Sequence, residues 1–119
     1  PFIDFPEFCQ FATREYDLDY VLVTLGQYGV FGHAASGEII YIPGYRVELA
    51  DSLGSGDAFS SAFVTDVLNG KSLQQACEFG NALGALVATT HGATAAVPAS
   101  AVKGLLNSDT ERWIHPDFM

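Results

Sequence analysis

A short glycine-bearing segment, Gly54-Ser55-Gly56-Asp57, combines residue types that suit chemistry on a bound anion. A strand-like run, residues 45–49, precedes it, and an apolar helix pattern begins at Asp57. A glycine-rich turn at a helix start leaves backbone N–H groups unpaired at the positive end of the helix dipole, where phosphates bind. A carboxylate beside such an anion hole suggests phosphoryl transfer. The amides would hold the charge and Asp57 would receive a hydroxyl proton.

The same segment is also compatible with a purely structural role. Asp is a favoured N-cap residue and glycine is an ordinary loop residue. Short motifs carry a high risk of false positives, so Gly-x-Gly-Asp alone does not separate the two interpretations. The rest of the chain has to decide between them.

Composition limits the classes of function. The chain has 119 residues, 49% of them hydrophobic, and a net charge of −9 with only five Lys and Arg. This predicts one folded domain, 1–119, and argues against nucleic-acid and anionic-membrane partners. No apolar run approaches the ~20 residues of a membrane span, and no signal peptide is visible. Cys9 and Cys77 each lie in an apolar helix pattern, which favours buried thiols and a cytoplasmic location.

Apolar periodicity predicts alternating helices and strands in the first half of the chain. A helix pattern begins at Pro6, and residues 20–25 form a continuous apolar run typical of a strand buried on both faces. Residues 30–34 and 38–42 flank a small polar turn and predict a hairpin. Residues 45–49 predict a further strand with one wet face. This order indicates an α/β fold with a hairpin region before the anion-hole loop.

The second half of the chain is predicted to be helical. Residues 57–69 carry an apolar stripe and end at an Asn-Gly stop. The next helix starts with a capping box formed by Ser72 and Gln75, and residues 100–106 form a short last helix. The polar tail, residues 107–119, either docks on the body or is disordered. His33, in the hairpin, is expected to face solvent.

The segment from Asp51 to Phe59 resembles the second signature of the ribokinase-like (PfkB) family of carbohydrate kinases, Asp-Thr-Thr-Gly-Ala-Gly-Asp-x-Phe. Three positions, Ser52, Leu53 and Ser55, depart from that form but keep the loop small or apolar. The positions that match it are Asp51, Gly54, Gly56, Asp57 and Phe59.

Two further segments resemble nucleotide-site segments of that family. A Thr-x-Gly-x-x-Gly segment after the first strand matches at Thr24, Gly26 and Gly29, which the resemblance places at the nucleotide. Residues 79–86 resemble the family's Phe-Ala-Asn-Ala-Ala-Gly-Ala-Leu and place Asn81 beside the adenine. The loop of residues 90–98, with Gly92, resembles the terminal segment that closes over the nucleotide. Taken alone, Gly26 and Gly29 are equally typical of turns.

The resemblance implies a ribokinase-like three-layer α/β/α fold, of which this chain is the C-terminal ATP-binding and catalytic part. It also implies transfer of the ATP γ-phosphate to a hydroxyl of a sugar or sugar-like alcohol. Mg²⁺ would bridge the phosphates, and Asp51 would help to hold a monovalent cation such as K⁺. The full-length protein is expected to be a homodimer, and the 119 residues alone are expected to be inactive and to self-associate.

Other functions remain open at this point. A non-catalytic nucleotide-binding module and a nucleoside kinase of the same fold both fit the glycine loop. A dinucleotide-binding oxidoreductase fits less well, because the Gly-x-Gly-x-x-Gly spacing is absent around Gly54. The identity of the phosphorylated sugar is not determined by these residues.

Overall fold

The structure, a computed structural model, describes residues 4–90 and 97–119. The helices are α1 (Phe5–Glu15), α2 (Ser55–Leu68), α3 (Leu73–Ala88) and α4 (Ala99–Leu106). The strands are β1 (Tyr20–Thr24), β2 (Val30–Ala34), β3 (Ile39–Ile42), β4 (Gly44–Tyr45) and β5 (Arg112–Trp113), with 3-10 turns at Gly26–Tyr28 and Pro116–Phe118. Within these described ranges, no helix is long and apolar enough to cross a bilayer.

Strand β2 is the centre of a three-stranded antiparallel sheet in the order β1-β2-β3. All five of its residues are buried, whereas β1 is only half-buried and is exposed at Tyr20 and Thr24. The predicted hairpin is therefore confirmed, with the Ala34 N–H donating to the Glu38 carbonyl at 2.9 Å to close its turn. The prediction that residues 20–25 are buried on both faces was wrong. In the described structure β1 pairs with β2 alone, so it is an edge strand.

Helices cover both faces of this sheet. On one face Val30 packs in a core with Phe59 of α2 and Cys77 of α3. On the other face Phe31, the next residue of β2, contacts Phe5 of α1 with ring centroids 6.4 Å apart. Successive strand residues point to opposite faces, so one buried strand supplies both contacts. The layer order α1, sheet, α2–α3 agrees with the predicted three-layer α/β/α fold.

The same alternation explains a wrong prediction about His33. It lies on the α1 side of β2 and is only 8% exposed. Its Nδ1 lies 3.2 Å from Oγ1 of Thr13, whose hydroxyl donates to the Cys9 carbonyl at 2.7 Å. His33 is therefore a buried residue with a polar partner, because α1 covers the strand that carries it.

The segment that leads into the glycine loop, residues 54–57, also differs from the prediction. The strand expected over residues 45–49 is reduced to the two-residue β4, which pairs with β5. Further along, the N–H groups of Ala50 and Asp51 donate to the Ala88 carbonyl at 2.8 and 3.1 Å. The end of α3 thus takes the hydrogen bonds that a longer strand would have needed from a neighbouring strand.

The helix starts follow local rules. Ser72 and Gln75 form the predicted capping box, and α1 is capped by Asp4, whose side chain accepts from the Glu7 N–H at 2.7 Å. Helix α2 begins at Ser55, two residues before the predicted start, because Gly54 adopts a left-handed φ of 84° and serves as the N-cap. Asp57 is therefore the third residue of α2 rather than its cap.

Both cysteines are free thiols with no exposed surface. Burial raises the pKa of Cys77 to about 12, with the carboxylates of Glu38 and Glu78 adding to the shift. Burial also raises the pKa of Cys9. The sequence prediction of buried thiols is thus confirmed, and the raised pKa keeps both thiols in the protonated, unreactive form.

Gly80 allows α3 to approach α2 closely, and this gives a testable prediction. A Cβ at Gly80 would lie 2.9 Å from Cδ2 and 3.1 Å from the carbonyl oxygen of Phe59. Overpacking of this kind costs ~1–3 kcal/mol, partly offset by the ~1 kcal/mol better helix propensity of alanine. We expect Gly80→Ala to lower the free energy of unfolding by about 1 kcal/mol, the middle of the net range, in urea denaturation.

A glycine in α4 provides the control for that measurement. A Cβ at Gly104 would meet no atom within 4 Å. Gly104→Ala should therefore leave stability unchanged or raise it through helix propensity. Equal effects of the two substitutions would contradict the close contact between α2 and α3.

Candidate nucleotide-binding site

A cavity of about 420 Å³ lies between the start of α2, the face of α3 and the two turns at residues 26–29 and 43–45. Ligand pockets typically have volumes of ~300–1,000 Å³, so a small organic ligand fits. The cavity brings together six residues that sequence analysis nominated from distant parts of the chain: Thr24, Gly26, Gly29, Ser55, Gly56 and Asn81.

The loop at the start of α2 presents backbone to this cavity. Gly54 takes the left-handed conformation that an L side chain rarely adopts. The Ser55 N–H donates to the Ser52 carbonyl at 3.1 Å, so this amide is used inside the turn. The N–H groups of Gly56 and Asp57 belong to the first helical turn, where an α-helix supplies no partner. A Cβ at Gly56 would meet no atom within 4 Å, which leaves open space beside its backbone.

The two carboxylates of the loop lie outside the lining of the cavity. Asp57 is exposed and directly follows Gly56, which is a lining residue. Asp51 accepts a hydrogen bond from the Leu53 N–H at 2.9 Å, which closes the turn that leads into Gly54. Gly54 also lies outside the lining residues. Across the described ranges, no group of three His, Cys, Asp or Glu side chains is placed to hold a metal ion.

The opposite wall is built by two turns whose backbones touch. Gly26 and Gly29 have positive φ values of 58° and 95°, as a tight turn requires. A Cβ at Gly29 would overlap the carbonyl oxygen of Ile42, and one at Gly44 would overlap that of Gln27. Glycine at positions 29 and 44 therefore lets the 26–29 turn sit against the 43–45 turn, and this contact shapes the cavity.

Asn81 is fixed in the cavity wall by its side chain. Its Nδ2 donates to the Pro43 carbonyl at 2.9 Å, and the residue is half-buried. Gly84, one turn further along α3, is also a lining residue. A Cβ there would lie 3.1 Å from the Ser55 carbonyl oxygen, so this glycine keeps the loop close to the helix.

Several residues that line the cavity were not among the predicted site residues. Gly92 lies outside the described residues. Phe59 matches the family signature and lies on the apolar face of the predicted helix, whereas Trp113 lies in the polar tail. The presence of the single tryptophan of the chain in a polar tail was the sequence feature that could have pointed to a site residue there. The lining residues that were not nominated include Tyr45, Val47, Leu49, Phe59 and Trp113.

Comparison with known families identifies residues 10–100 as a match to the pfkB family carbohydrate kinase model. An ATP-dependent ribose-1-phosphate kinase of Halopiger xanaduensis is 34% identical over 98 residues, which cover 82% of this chain and 33% of that protein. A 5-dehydro-2-deoxygluconokinase of Bacillus subtilis is 29% identical over 80 residues, covering 67% of this chain and 25% of that protein.

Solved structures agree with this assignment. The ribokinase of Thermotoga maritima superposes with a TM-score of 0.73 at 30% identity, covering 83% of this chain and 33% of that one. A putative ribokinase II from E. coli in complex with ATP and Mg²⁺ gives 0.68 at 30% identity, with 76% and 29% covered. Ribokinase of Arabidopsis thaliana, complexed with ribose and ATP, gives 0.66 at 30% identity, with 76% and 30% covered.

The chain spans about a third or less of the length of these relatives. The family model nevertheless matches most of its residues, and the matched range includes the glycine loop, the 26–29 turn and Asn81. The predicted family and the ribokinase-like fold class are thereby confirmed. The chain belongs to the pfkB family of carbohydrate kinases.

Proposed function

We propose that the protein containing this chain transfers the γ-phosphate of ATP to a hydroxyl of a sugar or sugar-like alcohol. The observation that carries the proposal is the cavity beside the first turn of α2, which joins Gly56 to Thr24 and Asn81. Its lining combines a helix N-terminus for phosphates with an apolar and amide-bearing stretch suited to a nucleoside. The relatives include an ATP-dependent ribose-1-phosphate kinase and a ribokinase complexed with ribose and ATP, which supports the same substrate class.

The first turn of α2 would stabilise charge on the transferring phosphoryl group. The amides of Gly56 and Asp57 are the strongest candidates, because that of Ser55 is already bonded to the Ser52 carbonyl. Gly54 would contribute by its left-handed conformation, which sets the direction of the turn. Positioned donors of this kind typically contribute ~10²–10³-fold to kcat each.

Asp57 would act as the base that receives the proton of the acceptor hydroxyl. It is exposed and directly follows the cavity-lining Gly56, so an acceptor bound outside the nucleotide cavity could reach both the carboxylate and the phosphoryl group. The proton leaves the acceptor oxygen for the carboxylate as that oxygen bonds to phosphorus and the ADP oxygen leaves.

Mg²⁺ and a monovalent cation complete the proposal. When bound, Mg²⁺ would neutralise charge on the nucleotide phosphates, and it usually takes only one or two protein carboxylates. Asp51, on the flank of the glycine loop, would supply such a carboxylate, because Asp57 is assigned the role of the base. Asp51 would also help to hold K⁺, with its second oxygen available beside the hydrogen bond from Leu53.

We further propose that these 119 residues form the C-terminal, ATP-binding part of the kinase domain. The acceptor pocket would then lie in other residues of the longer protein. Catalysis requires the reacting groups to be held in contact geometry, and this positioning lowers the activation barrier by up to ~7–11 kcal/mol. The 119 residues alone should therefore not turn over a sugar.

The test is a coupled ADP-release assay on the full-length protein with a panel of sugars, sugar acids and nucleosides. Sugar-dependent ADP release is the expected result. Nucleotide binding without turnover on any acceptor would indicate a non-catalytic module, and turnover with nucleosides alone would indicate a nucleoside kinase. Hydride transfer from a dinucleotide in the absence of kinase activity would overturn the proposal.

A further inference from the structure

The C-terminal tail, residues 107–119, brings its tryptophan to the wall of the cavity. Trp113 is the single tryptophan of the chain and lies two residues after the exposed Glu111. Building on the proposed kinase function, we propose that Trp113 forms the surface on which the purine base of the nucleotide stacks. The tail would then be a part of the nucleotide site rather than a terminal appendage.

Backbone pairing and Arg112 fix the start of the tail. Strand β5 pairs with β4 so that Trp113 lies opposite Gly44 and Arg112 opposite Tyr45. The Arg112 guanidinium donates to the Pro43 carbonyl at 2.6 Å and lies 3.8 Å from the centroid of the Tyr45 ring. These contacts tie the residue next to Trp113 to the turn that lines the cavity.

An aromatic cluster fixes the other end of the tail. Phe118 stacks on Tyr41 with ring centroids 4.2 Å apart. The Tyr41 hydroxyl donates to the Tyr28 carbonyl at 2.6 Å and accepts from the His115 N–H at 2.9 Å. Trp113 is thus held from both sides along the chain, which lowers the entropic cost of presenting its ring to a ligand.

The position of Trp113 matches the base end of a bound nucleotide. The Pro43 carbonyl that receives Arg112 also receives the amide of Asn81, and Gly44 lies opposite Trp113. The glycine loop instead borders α3 at Gly84, about one turn or ~4.5 Å further along the helix than Asn81, and the residues that lead into it bond to Ala88, a further turn along. Phosphates held at the loop would therefore direct the nucleoside towards Asn81 and Trp113.

A cation also contacts the indole ring of Trp113. The guanidinium of Arg46 lies 4.4 Å from the Trp113 ring centroid and is paired with the carboxylate of Glu111 at 2.9 Å. Arg46 therefore covers one face of the indole, and the base would stack on the opposite face. Stacking of a base on an aromatic side chain changes affinity by about 5- to 150-fold when the ring is removed.

The experiment measures affinities of the full-length protein for ATP, adenosine and tripolyphosphate by titration calorimetry. Trp113→Ala and Trp113→Leu should weaken ATP and adenosine about tenfold or more, and Trp113→Phe should retain most of the affinity. Tripolyphosphate, which has no base, should bind all variants equally. Trp113→Leu keeps an apolar side chain at this position and so covers the case in which the alanine variant does not fold.

Ile114→Ala is the matched control, because Ile114 follows Trp113 and is 44% exposed. It should leave all three affinities unchanged. Unchanged ATP affinity in Trp113→Leu would overturn the inference and leave the kinase proposal intact. Parallel loss of tripolyphosphate binding would indicate a structural role, and tighter ATP binding would indicate an obstructing tail; either result also overturns it. Failure of the wild-type protein to bind ATP would overturn the kinase proposal itself.

Discussion

Asp57→Asn is expected to lower kcat of the full-length protein by ~10²–10⁴-fold, the usual contribution of a general base. The amide keeps the shape of the side chain but cannot accept the proton. ATP affinity should change little, because Asp57 lies outside the cavity lining. Steady-state kinetics with ATP and the accepted sugar, together with a separate ATP titration, would measure both effects.

Asp66→Asn in the same helix is the matched control, since it makes the same chemical change 9 residues further along α2. It should leave kcat unchanged. Loss of a carboxylate from the first turn of a helix costs ~0.3–1 kcal/mol of stability, so unfolding of both variants should be followed. If Asp57→Asn kept more than about a tenth of wild-type kcat, Asp57 would not be the base. It would then be a first-turn carboxylate that stabilises α2 through the helix dipole.

Gly56→Val is expected to lower kcat/KM for ATP by roughly 10²-fold, because its side chain would occupy the space beside the first-turn amides. A Cβ at Gly56 meets no protein atom within 4 Å, so folding should be nearly unaffected. The prediction is thus a loss of polyphosphate binding with little change in the free energy of unfolding. Binding of tripolyphosphate by calorimetry and urea denaturation would measure the two quantities.

Two other glycines provide the comparison. Gly104→Val adds the same side chain at a second open position, in α4, and should leave tripolyphosphate binding unchanged. Gly54→Ala, unlike Gly56→Val, should lower the free energy of unfolding, because an alanine at a φ of 84° costs ~1–2 kcal/mol of stability. A Gly56→Val variant with wild-type affinity and only a loss of stability would show that the loop is structural.

Local sequence rules were sufficient for the elements whose hydrogen bonds are local. The capping box of Ser72 and Gln75, the hairpin turn after Ala34 and the end of α2 at Asn69 all lie where the sequence predicted them. Each depends on residues within a few positions of one another, so their types alone select the conformation. The signature around Asp57 likewise identified the family, because its residues lie in one continuous stretch of the chain.

Tertiary packing decided the features that depend on distant partners. His33 is buried because α1 covers one face of β2, and the expected strand over residues 45–49 is short because β5 offers only two residues to pair with. The start of α2 at Ser55 is set locally, by a left-handed conformation of Gly54 that glycine permits but does not require.

The cavity likewise combines residues that the sequence identifies with an arrangement that only tertiary packing creates. Residue patterns nominated Thr24, Gly26 and Asn81 separately, and only the family resemblance placed them at one nucleotide site with the glycine loop. The structure shows that these three residues and Gly56 line one cavity. That arrangement depends on backbone contacts between turns far apart in the chain. The position of Trp113 was hidden for the same reason. Its tail is polar by composition, and only long-range pairing with Gly44 brings the ring to the cavity.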